Sequence, residues 1–384
     1  MTFLRCIVLL AFAVAVPGQA DDGRLRSLLI EQAAFSEAEL ATLDAGEIVV
    51  KPLPSGNKRE TAVFGVVRIK DLREVTLAEL RESLSQKGSD ARKQGSRFSS
   101  PPAGGDLEAF EISDKDLNDL NNCKLYDCDL NLPAEWIKRI QHGAPWDSSR
   151  ATQLIREFVL ERLAAYQANG NRSLGKYNNR RTAVDVAAEY RELQNSPILI
   201  KELFPEVIAY IAEYPKAQIP GGEDKFSWSI IEFGLKPVLT VSHAVNYSRT
   251  DDAGAQHVLA VKQLYANHYL DVSLAFTFLI RTTADDGART YLIFTDRSRS
   301  DALGGLLGGM AKSVVEIESA ERVRNVLKNA ELRLISLTRQ QTETLPVPER
   351  GTVETVVAYL ARPAVAAVLL AMLAATVFLF LRKR

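Results

Sequence analysis

The sequence predicts an α+β protein: an antiparallel sheet wrapped on a long C-terminal helix, with a helical insertion and one C-terminal transmembrane helix. Three observations predict it. Between 225 and 296 five apolar runs alternate with the period of a strand, and TDDAG (250–254) and DDGA (285–288) supply hairpin turns between them. From Val314 to Leu334 the apolar residues return every three or four positions, the stripe of a helix lying on a sheet. Residues 133–215 carry the helical period again, before the strands resume.

MTFLRCIVLLAFAVAVPGQA (1–20) has a basic start, an apolar run and small residues before DDG, the pattern of a cleaved secretory signal. In the exported part, 21–85 supplies the first strands, GEIVV (46–50) and TAVFGVVRI (61–69), joined by a Pro- and Gly-bearing turn and followed by a short helix from Thr76 to Ser85. Residues 86–132 read as a mobile loop, QKGSDARKQGSRFSSPPAGGD, and a cysteine loop. Cys123 and Cys128 are the only cysteines of the mature chain, and in an oxidising compartment a disulfide is the favoured reading over free thiols.

The helical block 133–215 opens a long helix at Ser148 or Ser149, stops it at Gly170, and meets a dividing Pro205. The meander and closing helix occupy 226–335, with Ser300 or Asp301 as the cap of a helix reaching about Ile335. A linker (336–362) leads to PAVAAVLLAMLAATVFLFL (363–381). At about 1.5 Å per residue that run reaches roughly 28 Å, enough to cross a bilayer core. Arg382, Lys383 and Arg384 (382–384) follow as a cytoplasmic tail, so the large N-terminal part is expected in the periplasm and the chain in the inner membrane of a Gram-negative cell.

The chain has 47 Lys+Arg and 48 Asp+Glu; without the five basic residues of signal and anchor flanks, 42 face 48. The exported part is therefore mildly acidic, which argues against nucleic acid as a partner. The membrane, through the C-terminal helix, is the expected partner, with an apolar ligand or another envelope protein beside it.

Strands, helices, an antiparallel meander and one long closing helix follow the order of the START-like, or helix-grip, fold, which this chain resembles over 46–85 and 226–335. The resemblance implies a sheet wrapped around the final helix and an apolar cavity for a lipid, sterol or polyketide, with 86–215 as an insertion. NNCKLYDCDLNLP, VKQLYANHYLD and YLIFTDRSRSDALGGLLGG also resemble segments of a group of exported bacterial proteins without an assigned activity.

Candidate site residues come from the alternation. HYLDVSLAFTFLI (268–280) puts His268, Leu270, Val272, Leu274, Phe276, Phe278 and Ile280 on one side, and Tyr269, Asp271, Ser273 and Thr277 on the other. PVLTVSHAVNYS puts Leu239, Val241, His243, Val245 and Tyr247 together. A ligand-binding face is thus expected from His243, Tyr247, His268, Leu270, Leu274 and Phe276, against the plainer reading of a filled core with hydrogen-bonded histidines. DRSRSD (296–301) reads as a salt-bridge cluster before an anion site, and GGLLGG (304–309) as a packing glycine pair or an access flap. No Ser-His-Asp elbow, Walker loop or HExxH is present, so an enzyme ranks third, and no cofactor or metal is expected. The leading expectation is a membrane-anchored module binding an apolar ligand; the alternative is a structural or interaction protein of the envelope, with 133–215 as its contact surface.

Overall fold

The computed structural model describes residues 21–84, 92–195, 199–233, 236–304 and 308–343. The expected signal and membrane span lie outside these residues, and no helix among the described residues is long and apolar enough to cross a membrane.

Two helices that the sequence reading passed over come first, α1 (Asp22–Ala33) and α2 (Glu37–Ala45). Ser36 and Glu39 form a reciprocal capping box that starts α2. Strands β1 (Val49–Pro52) and β2 (Glu60–Ile69) follow, then α3 (Leu77–Ser83), capped by Thr76 and Glu79 in the same manner. The stretch expected to be a mobile loop contains a strand, β3 (Arg92–Arg97), paired antiparallel with a later strand from Gln94↔Ile230 to Arg97↔Ser227. An edge strand needs one hydrogen-bonded neighbour and no apolar alternation, so RKQGSR serves.

The segment expected as an insertion comprises α4 (Asp114–Asn122), α5 (Ala134–Gly143), α6 (Ser148–Asn169), a two-stranded ribbon of β4 (Lys176–Tyr177) and β5 (Val184–Asp185), and then α7 (Val186–Asn195), α8 (Ile200–Leu203) and α9 (Pro205–Glu213). Asp147, one residue ahead of the expected serines, caps α6 by accepting from the Arg150 amide at 3.0 Å. Pro205 is the first residue of α9 and separates it from α8, as its ring requires. Cys123 and Cys128 form a disulfide.

The meander is β6 (Glu223–Phe233), β7 (Lys236–Asp251), β8 (Gly254–Ala266), β9 (Val272–Ala284) and β10 (Gly287–Arg299), and α10 (Gly308–Glu343) closes the fold. All eight strands of the large sheet are antiparallel, in the order β1-β2-β10-β9-β8-β7-β6-β3. The last strand thus returns to pair with β2, Thr290↔Ile69 through Arg299↔Glu60. His268 belongs to the β8–β9 connection and not to β9, because Tyr269 takes a positive φ of 60° and breaks the extended run.

Alternation divides the sheet between two layers. On one face Phe64, Val66, Phe276, Phe278, Tyr291 and Ile293 pack with the insertion helices in the larger core. On the other, Val63, Val67, Leu279 and Leu292 pack with Leu80 of α3 and with Val323, Leu327, Ala330 and Leu334 of α10. Gly65 makes this second contact close. A Cβ there would stand 2.7 Å from both Leu327 Cδ1 and Val323 Cγ1, so α10 rests directly on β2 backbone.

A cavity between the sheet and the closing helix

α10 touches the sheet with its second half and spans a space with its first. From Leu327 to Leu334 every third or fourth residue is fully buried, whereas Val315, Ser319, Arg322, Val323 and Val326 roof a cavity of about 560 Å³. Its apolar wall comes from Val63 of β2, Ile231 of β6, Val238 of β7, Phe294 of β10, Leu84 after α3 and Leu303 after β10. Its floor is polar: Thr61, Thr240, Ser273, Thr277, Asp296 and Ser298 all open into it. The hydroxyls are organised. Ser273 Oγ donates to Asp296 Oδ1 at 3.0 Å, Ser298 Oγ reaches Asp296 Oδ2 at 3.5 Å, and the Thr61 and Ser298 hydroxyls lie 3.2 Å apart. Burial pushes the Asp296 carboxyl up to about 6, against the pull of the two serines.

Of the six residues expected to bind a ligand, Leu270 lines this cavity. The other five lie elsewhere. Leu274 and Phe276 are 2% and 1% exposed on the opposite face, in the core beneath the insertion, with Phe276 stacked on Phe278 at 6.0 Å. Tyr247 packs edge-on against Phe204 at its N-terminal approach to α9. Their alternation is as expected; the layer that covers them is the helical insertion, which fills the space with its own side chains.

His243 is fully buried on that same face. Its Nε2 lies 2.8 Å from Asp224 Oδ1 and its Nδ1 3.0 Å from the Tyr166 hydroxyl, while Tyr210 donates to the second Asp224 oxygen at 2.5 Å. Burial lowers its pKa in spite of Asp224. The ring stacks on Phe226 at 4.6 Å, so the histidine joins α6, α9, β6 and β7 in one network.

His268 is bonded to the segment before the meander and does not face the cavity. Its Nε2 is 2.6 Å from Asp116 Oδ1 of α4, and its Nδ1 3.0 Å from the Asp129 carbonyl. Asp116, Asp119 and His268 bring ligand-type atoms within 4.8 Å of one another, the spacing of a cation site. The ammonium of Lys236 already bonds Asp119, and Asn267 Nδ2 donates to Asp116 at 3.3 Å, so the protein supplies its own cation there. Asp271 turns away, as alternation required, and accepts from the Asp301 amide at 2.7 Å; burial, with the Asp301 charge, pushes its carboxyl up to about 7.

DRSRSD forms the salt-bridge cluster. Arg299 reaches Glu60 at 2.9 Å, Glu189 at 2.8 Å and Glu192 at 2.6 Å, Arg297 reaches Glu60 at 2.7 Å, and Arg59 reaches Asp301 at 2.5 Å. These pairs tie β2 and β10 to α7. GGLLGG lies partly outside the described residues.

The residue sequence reasoning placed least well is Lys262. It is fully buried, its Nζ bonded to Asn171 Oδ1 and lying 4.5 Å from the Tyr190 ring centre and 5.1 Å from that of Tyr166. Burial pushes its amine down to about 7. Its position in VLAVKQLY, at an inward place of an alternating strand, was the available signal.

Comparison with protein-family models gives no match for this chain, and comparison with curated proteins gives none either.

Proposed function

We propose that this protein is a membrane-anchored extracytoplasmic binding module that holds an apolar or lipid-like ligand between its sheet and its closing helix, in the manner of a helix-grip fold. The observation that carries the reading is the cavity of about 560 Å³, which falls in the range of small-molecule sites, roughly 300–1,000 Å³, and has the apolar wall with few placed polar groups that such sites share. The packed half of α10 supports it: Leu327, Ala330 and Leu334 fix the helix, so the open half needs no ligand to stay in place. The anchor and signal expected from the sequence would present the module at the outer side of the inner membrane.

The alternative, an envelope interaction protein using 133–215 as a contact surface, draws less support. Among the described residues that block exposes no large apolar side chain; the exposed ones are Ile30 on α1, Tyr126 in the cysteine loop, Val261 on β8, and Val314, Ile317 and Leu332 on α10. Mass spectrometry of lipids extracted from the purified protein tests the reading. A bound species should be recovered from the native chain and lost when Val326→Trp fills the cavity; an empty native protein, or one whose lipids are indifferent to that substitution, would overturn it.

A further inference from the structure

The cavity of the proposed binding module carries an acidic group on its floor, Asp296, that is held by hydroxyls. Arg299 also borders the cavity, but its guanidinium is held by Glu60, Glu189 and Glu192 on the other face of the sheet, and Glu318 and Arg322, four residues apart on α10, bring one charge of each sign to the roof. Asp296 has the hydroxyls of Ser273 and Ser298 as its hydrogen-bond partners, and among the described residues it forms no ion pair.

A carboxylate set in an apolar cavity is costly, and Asn would keep the hydrogen bonds to both serines without that cost. A cationic guest offsets it. The arrangement of a polar floor under Asp296 and an apolar wall from Val63, Val238, Phe294 and Val323 matches a molecule charged at one end.

Resting on the binding reading above, we propose that the cavity selects an amphiphile with a protonated amine head, which seats on Asp296 while its hydrocarbon body lies along the apolar wall under α10. The ammonium would donate to Asp296 Oδ1 and Oδ2 and take the place of the solvent that otherwise faces them. The rise of the Asp296 carboxyl to about 6 follows from burial without a cation, and a bound ammonium reverses it. Amine binding should therefore be strong above about pH 6 and weaken below it.

The test uses the full chain in phosphatidylglycerol nanodiscs, photolabelled with diazirine-bearing dodecylamine, dodecanol and dodecanoate, with adducts mapped by mass spectrometry. The amine should label the lining segments of α10 and β10 about tenfold more than the other two near pH 8, and fall toward the alcohol near pH 5 as Asp296 takes a proton. Asp296→Asn should cut amine labelling about tenfold and leave the alcohol unchanged. The pH series on the native chain decides the matter even if that variant folds poorly. Equal labelling by all three compounds, unchanged by pH or by Asp296→Asn, overturns the amine assignment while the cavity stands; absence of any adduct on the lining overturns the cavity reading, and the assignment with it.

Discussion

Phe276 and Phe294 offer a controlled comparison, because they sit on adjacent strands and face opposite ways. Phe294 is the register partner of Thr277, the neighbour of Phe276 in β9. Phe276 is 1% exposed, stacked on Phe278, which is itself stacked on Phe204 at 5.9 Å, and every direction around it is filled. Truncating it should remove the transfer energy of a phenyl ring and leave a void that the insertion helices cannot close, a loss of about 3–5 kcal/mol. Phe294 stands in the cavity wall, so Phe294→Ala enlarges a space that exists already, and the loss should be about 1–2 kcal/mol. Urea titrations of the two alanine variants of residues 21–343 would read the difference. With a slope near 3 kcal/mol/M, a gap of about 2–3 kcal/mol moves the midpoints apart by roughly 1 M. Equal midpoints would refute the assignment of one face as closed core and the other as cavity wall.

Lys262 should make stability depend on pH: its amine is depressed from 10.5 to about 7, so the unfolded chain binds the extra proton between those values and stability rises with pH across that window. Lys262→Met should abolish the slope and stabilise the protein at neutral pH by about 2–5 kcal/mol; a variant with the native pH profile would contradict this. Replacing both Cys123 and Cys128 by serine should cost about 2 kcal/mol, since the bridge closes a loop with a sequence separation of only 5, and thermal melts would detect it. For topology, a reporter active only in the cytoplasm should work after Arg384 and fail near Thr342, and the opposite pattern would reverse the expected orientation.

The meander was legible because its five strands alternate and its turns carry Asp-Gly and Ala-Gly steps. Capping boxes, Thr76 with Glu79 at α3 and Ser36 with Glu39 at α2, were present in the sequence and went unread, although a helix was expected from Thr76. β3 left no trace in the apolar pattern, because Gln94 to Arg97 hold their place through backbone pairing with β6 and a Gln94 side-chain bond to the Ala109 carbonyl. At the site, alternation sorted Leu274 and Phe276 from Ser273 and Thr277 correctly. It could not say which side would be filled, since the insertion and α10 each present an apolar stripe. The purely apolar side became core, and the mixed side, with Ser273 and Thr277, became the cavity floor. Asp296 was visible in DRSRSD, but its separation from Arg297 and Arg299 follows from strand alternation, which sends those guanidiniums through to Glu60 on the other face.

Glu60 has a consequence for the order in which the molecule can assemble. Its carboxylate is 2% exposed, and the two arginines that hold it, Arg297 and Arg299, lie 237 and 239 residues further along the chain. An N-terminal portion that folded early would have to bury that charge alone, at a penalty of several kcal/mol. Stable burial of Glu60 should therefore wait for β10, whose long-range pairing with β2 is of the non-local kind that forms slowly. A chain released short of Arg299 would keep Glu60 in water and β2 paired with β1 alone, so truncated products should be open to proteolysis before they can persist as half-built sheets.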